Sequence, residues 1–287
     1  MPPKLARYWG KFNLRTGARV NKLRMQFPQT KKKDEVDSLK PLSTMAIRLA
    51  NECQSSEPSM NKVIELIESD PAIAARVLGA ANSPLYGYSR KVESIPRAAI
   101  VLGLRTISNM AISFSAGEVF KGSEAHKATR QSILEHSVGC AVVGRILARA
   151  TGNTDASGAF LTGILHDIGK LALIDLDADA YVPYLEKMPT EEPLTTEDTL
   201  FGANHADIGK RYVTKMHMPP HFSTAIAEHH IASPEIGQLT GIVAISNQLS
   251  KIWLEGRTGI AFDSGRYAQF EQQALESFEA VKCNFQN

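Results

Sequence analysis

Cysteine is scarce in this chain: 287 residues contain three, Cys53, Cys140 and Cys283. They are far apart, odd in number and in no CxxC pair. That argues against a disulfide framework and against a thiolate zinc site. A reducing cytoplasm is the simplest home. Long apolar runs are missing too. No uninterrupted stretch approaches the ~18 residues that span a bilayer. Ala98 to Phe114 comes nearest, and Arg105 interrupts it. Lys4, Arg7 and Lys11 are not followed by an apolar h-region, so the start does not read as a signal peptide. Sustained period-2 alternation, internal repeats and low-complexity segments are all absent, which leaves a mainly α chain. The body has no basic groove interleaved with aromatics, and no receiver, cyclase or DNA-reading motif.

What is present is ordinary for a globular protein: 43% hydrophobic and 22% charged residues. A core can form without staples. The net charge of +2 is uneven, since residues 1–40 carry eleven Lys/Arg (Lys31, Lys32 and Lys33 among them) against Asp34, Glu35 and Asp37. Such a leader could touch nucleic acid or an anionic membrane surface. The plainer reading is a solvated, flexible terminus over residues 1–37.

From Pro41 onward the pattern is helical. Met60, Val63, Ile64 and Ile67 share a helix face. Asp70-Pro71 is a start signal, with an acceptor at N-cap and a preset φ at N1. Pro96 opens a helix with Ile100, Leu104 and Ile107 on one side. Gly103 inside it would admit a neighbouring helix, or would mark a local break. The polar stretch Lys121 to Ala125 separates an N-terminal helical subdomain, 38–125, from a second one, 126–287. In the second, helices are expected near 127–150, 156–173, 196–217 and 236–255. An acidic loop carries Pro183, Pro189 and Pro193, and Pro219-Pro220 opens a short helix. Tyr267, Phe270, Ala274, Phe278 and Val281 are spaced for a closing amphipathic helix.

The sharpest local signal is Leu165-His166-Asp167-Ile168-Gly169-Lys170. Imidazole nitrogen and carboxylate oxygen both ligate divalent cations, and neighbouring helical positions set them side by side. Lys170 projects near both and suits an anionic phosphate beside a metal. Alone, a His-Asp dipeptide is weak evidence and reads more readily as structural. His136 lies on an apolar helix face and would alone be a core histidine. His205 at a helix start would alone be a capping or surface residue. His229-His230 ends a helix, where a protonated imidazole also suits the dipole. His126, His217 and His221 read as surface or packing residues.

Taken together, His136, His166, Asp167, His205, His229 and His230 form the order H…HD…H…HH. That order resembles the HD superfamily of metal-dependent phosphohydrolases, and within it the HDOD branch. The stretch Ile67 to Leu78 with Ala81-Asn82-Ser83 is similar to the HDOD N-terminal signature, as is Ile95 to Leu104. Glu197 to His205, Met218-Pro219-Pro220 and Ala225 to His230 extend the likeness over roughly residues 38–255. The resemblance implies an all-α bacterial protein of two packed helical subdomains, the second HD-like. It implies His136, His166 and Asp167 as metal ligands, with His205 and His229 or His230 as those of a second ion. Lys170 resembles the phosphate-contacting lysine of cyclic-dinucleotide phosphodiesterases. Asp167 and Lys170 are the candidate catalytic residues.

The departure is Asn247, which aligns where catalytic members have aspartate. An amide oxygen can ligate but brings no charge. Two readings follow. The favoured one is a signal-transduction protein that senses a nucleotide, phosphoester or protein partner, with weak or absent hydrolysis. The other is a working phosphohydrolase acting on a nucleotide or cyclic dinucleotide. The ion could be Fe, Mn, Zn, Co or Ni. Nucleic acid is expected only through residues 1–40.

Overall fold

The computed structural model describes residues 41–254, apart from 54, 87, 89, 122–125, 153–154, 188–193 and 231–237, together with 276–279. The basic leader, Cys283 and most of the expected closing helix lie outside the described residues. The described residues form helices and turns without a strand.

The first five helices are α1 (Thr44–Cys53), α2 (Met60–Glu68), α3 (Pro71–Ala81), α4 (Ile95–Leu102) and α5 (Leu104–Lys121). Local chemistry sets their starts. Ser59 and Ser94 cap α2 and α4. Asp70 accepts from the backbone N–H of Ala72 and Ile73 with Pro71 at the first turn. Val63, Ile67, Ile73 and Val77 turn inward, as their spacing requires.

The helix expected to run through Gly103 does not. Gly103 sits at φ 77°, α4 and α5 meet there at 109°, and a Cβ at that position would touch nothing. The residue is a corner rather than a close approach. Ile100 is consequently 67% exposed instead of sharing a face with the buried Ile107. No single helix among the described residues is long and apolar enough to cross a membrane.

The later helices are α6 (Lys127–Thr151), α7 (Ala156–Leu165), α8 (Ile168–Lys187), α9 (Leu194–Phe201), α10 (His205–Lys215), α11 (Pro220–Ala227) and α12 (Leu239–Leu254). Two expected helices are broken. The one near 156–173 turns at His166-Asp167, and the one near 196–217 turns at Gly202 to Asn204. Gly202 has φ 79° and Asn204 caps the restarted helix. Pro183, expected in a loop, lies inside α8. That helix kinks at Asp177 (φ −156°, ψ 80°), whose carboxylate accepts from the Ala180 N–H and caps the continuation.

α5 packs against α1, α6 and α7. α6 is flanked by α7 and α12, and α8 packs on α10. One contiguous apolar core runs from Leu42 to Phe278 through both sets of helices.

Candidate metal centre

Five places in the fold deliver the candidate residues. His136 comes from the middle of α6, and His166 and Asp167 from the turn between α7 and α8. His205 opens α10. His229 and His230 follow α11, and Asn247 and Ser250 come from α12, where both meet His136. Two close helix approaches make this possible. A Cβ at Gly163 would lie 2.4 Å from Ala141 Cα, so α7 can press onto α6 only with glycine there. A Cβ at Gly169 would lie 2.0 Å from His205 O, so α8 meets the start of α10 for the same reason. These contacts bring His166 to His136 and Asp167 to His205.

Among the described residues, two groups have ligand atoms mutually within 4.8 Å: His136, His166 and Asp167, and His205, His229 and His230. The Asp167 carboxylate stands between them. Its Oδ2 lies 3.4 Å from His166 Nε2 and 3.6 Å from His136 Nε2. Its Oδ1 lies 3.3 Å from His205 Nε2 and 3.5 Å from His229 Nε2. His205 Nε2 is also 3.0 Å from His230 Nε2 and 3.3 Å from His229 Nε2. Asn247 Oδ1 is 3.0 Å from His136 Nε2. All the predicted site histidines, Asp167 and Asn247 are therefore together. Lys170 joins them, its Nζ donating to Asp167 Oδ2 at 2.6 Å. His126, His217 and His221 belong to neither group.

The outer nitrogens explain the inner ones. His166 Nδ1 donates to Gly163 O at 2.8 Å, His229 Nδ1 to Ile226 O at 2.6 Å, and His205 Nδ1 to Glu197 Oε2 at 2.6 Å. Ser250 Oγ donates to Asn247 O and so accepts from His136 Nδ1 at 3.1 Å. An Nδ1–H tied outward leaves Nε2 as the inward-facing ligand atom. Glu197 is itself held by Tyr181, whose hydroxyl donates to Oε1 at 2.7 Å, and it also accepts from the His205 backbone N–H at 2.8 Å.

Electrostatics follow from burial. Burial pushes His136 well below its ordinary range and His229 down to about 3. It lowers His230 as well, with His229 and His205 adding to the effect. Burial thus runs against the dipole reading of a protonated helix-end histidine for the 229–230 pair. His166 goes the other way: burial opposes its charge, but the adjacent Asp167 carboxylate raises it to about 10. Asp167, although buried, stays well below the usual carboxylate range, held there by His166 and Lys170. Glu197, buried too, is lowered by His205.

The arrangement fits a divalent cation. Imidazole nitrogens and a carboxylate converge within 3.0–3.6 Å, a crowding of donor atoms that a cation between them, or a proton on His166, relieves. Asp167 Oδ1 is fully buried and has no hydrogen-bond donor, a costly state for a carboxylate oxygen. Two nitrogens bound to one ion at about 2.0–2.1 Å sit about 2.9–3.4 Å apart, close to the spacing here.

Reading the sequence alone missed Glu197, Ser250 and Tyr181 as site residues. Glu197 falls within a stretch that matches the family signature, but nothing in it announces a carboxylate turned inward. Ser250 lies 114 positions from the histidine it holds.

An all-helical fold with a histidine–aspartate centre of this kind defines a class, and the sequence comparison makes it specific. The sequence matches the HDOD domain over residues 39–232, well over half of the chain, and the chain belongs to that family. It is 22% identical over 231 residues to an uncharacterized protein of Treponema pallidum (strain Nichols), covering 78% of this chain and 44% of that one. The chain spans less than half the length of the curated relatives it matches. An HDOD domain protein of unknown function from Geobacter sulfurreducens superposes with a TM-score of 0.62 at 21% identity, over 94% of this chain and 98% of that one. A candidate phosphohydrolase from Shewanella amazonensis SB2B gives 0.62 at 21% identity, over 88% and 91%. At these identities the likeness is one of fold.

Proposed function

We propose that this chain is a regulatory HDOD protein whose centre binds divalent cation and, through it and Lys170, a phosphate-bearing ligand such as a nucleotide, with weak or absent hydrolysis. The observation that carries the reading is the convergence of four imidazoles on one buried carboxylate whose Oδ1 has no donor, with His230 beside His205 as a fifth. His136, His166, Asp167 and Asn247 would hold one ion, and His205, His229, His230 and the same Asp167 the other. A bound divalent ion supplies Lewis acidity and a water that ionises near neutral pH. The chain's own contribution is orientation: the outward Nδ1 bonds fix each ring, and the Lys170 ammonium supplies charge for a phosphate oxygen.

Asn247 favours regulation over turnover. It lines the His136 half without bringing an anion, so that half lacks a charge that would tighten a cation and orient an attacking water. The division near residue 125 gives this reading its two parts, a helical N-terminal half for a signalling partner and a ligand-binding half. The near-complete ligand set and the placement of Lys170 favour the second reading, a working phosphohydrolase.

Metal content of the purified chain and turnover of a generic phosphodiester test both. The regulatory reading expects bound divalent metal, little hydrolysis, and a gain in hydrolysis in Asn247→Asp. Brisk turnover that disappears in His166→Ala would replace it with the enzymatic one. A chain that takes up no metal at neutral pH would sink both.

A further inference from the structure

We infer that the two halves of the centre load unequally. The His205–His229–His230 half, backed by the Glu197–Tyr181 pair, takes the first ion, and the His136–His166 half fills only at much higher metal concentration. This rests on the metal-binding reading above and adds an order and a cause to it.

Three differences point the same way. The first is the support behind the ligands. His205 Nδ1 donates at 2.6 Å to a carboxylate, Glu197. Its counterpart in the other half, His136, has only the Ser250 hydroxyl at 3.1 Å. A carboxylate partner draws the Nδ1 proton away and makes Nε2 a stronger donor to metal.

The second is the shared carboxylate. Asp167 Oδ2, which faces His136 and His166, is already engaged by the Lys170 ammonium at 2.6 Å. Oδ1, which faces His205 and His229, has no donor. A carboxylate oxygen free of any donor is available on one side only.

The third is the remaining ligand. The His205 half is completed by a third imidazole, His230, with Nε2 3.0 Å from His205 Nε2. The other half is completed by the neutral amide of Asn247.

Glu197 is a positioning residue here, acting through His205. Its carboxylate is buried and fully engaged. One oxygen accepts from Tyr181, and the other from both the backbone and the ring of His205. Tyr181 is wholly enclosed and packs edge-on against Phe201, at 5.1 Å between ring centroids, so the hydroxyl has little freedom to leave Glu197.

The test is a titration of the full chain, stripped by chelator, with cobalt(II) at neutral pH, followed by calorimetry and visible absorption. Two steps are expected, separated by about tenfold or more in affinity. Glu197→Gln keeps an oxygen for His205 and an amide for Tyr181 but removes the charge. It is expected to weaken the tight step roughly 10–100-fold and leave the weak step in place. Tyr181→Phe moves the tight step in the same direction by less, and Ser250→Ala moves only the weak step. Two equivalents of equal affinity in the natural chain would overturn the inference while leaving metal binding intact. So would an unchanged tight step in Glu197→Gln with its fold retained by circular dichroism. Should Glu197→Gln not fold, the natural isotherm and Tyr181→Phe decide. No cobalt uptake at all overturns the metal reading itself.

Discussion

The helices before residue 122 and those after 126 use their interiors differently. Among the described residues, α1 to α5 bury no Asp, Glu, Lys, Arg or His. Their buried polar groups are serines and Asn109. Ionisable groups stay at the edges, as with Asp70 at a cap and the Arg76–Glu118 pair at 2.9 Å. The later helices bury Arg130, Arg145, His166, Asp167, Glu197, His205 and His229. One half is held by apolar packing, which is non-directional. The other fills its middle with groups that need fixed partners, and accepts a loss of apolar contact to hold them in position. Stability and ligand binding should therefore respond to different substitutions.

The largest expected effect is at the shared carboxylate. Asp167→Ala removes a ligand from both groups and leaves their inward-facing Nε2 atoms without an anion among them. Loss of all tightly bound divalent metal is expected by elemental analysis after gel filtration. Retention of two equivalents would break the contrast between the halves. The counterpart in the first half is Leu49→Ala. Leu49 is fully buried in α1, and truncation of such a residue costs about 2–5 kcal/mol. A lower unfolding midpoint with unchanged metal stoichiometry is expected. Metal loss from this distant site would show that the halves are one cooperative unit.

Acid sharpens the contrast. In the metal-free protein the buried His229 has a folded value near 3 against an ordinary 6.5. The unfolded chain therefore takes up a proton that the folded one refuses as pH falls below 6.5, so stability falls with pH in that window. His229 alone accounts for about 2 kcal/mol between pH 6.5 and pH 5, and His136 acts in the same direction. His166 does not offset this. Its raised value makes its contribution complete below about 6.5 and lost only as pH climbs toward about 10. Thermal unfolding against pH is expected to flatten in His229→Gln. Leu49→Ala should shift the whole curve without changing its slope.

What was legible in the sequence was local or was carried by side-chain identity. Asp70-Pro71 announced a helix start because both halves of the signal are adjacent. The spaced histidines announced a centre because imidazoles at those intervals resemble a known order. Less legible were features that depend on what arrives from elsewhere. Gly163 and Gly169 matter because another backbone crosses each of them. Gly103 could be read as an approach or a break, and the surroundings decide between them. Glu197 reaches His205 only because the chain breaks at Gly202 to Asn204 and folds the second helix back. The Asp177 cap that lets a helix continue past Pro183 was overlooked because proline reads first as a terminator.

The smallest expected effects compare two caps of the same kind. Asp70 accepts from Ala72 N at 3.0 Å and Ile73 N at 3.1 Å, and Asn204 accepts from Asp207 N at 2.9 Å. Replacing either by alanine costs about 1 kcal/mol of stability, measurable by denaturant unfolding. For Asp70 nothing further is expected, because α3 carries no ligand. Asn204 precedes His205 and also ties Asp198 to Asp207 through its amide group, at 3.0–3.1 Å. Losing that cap loosens the first turn of α10, which supplies both His205 Nε2 and the backbone N–H held by Glu197. Asn204→Ala should therefore weaken metal uptake by a few-fold as well, with Asp70→Ala as the matched control. Equal metal affinity in the two variants would mean that Glu197 alone, without the cap, fixes His205.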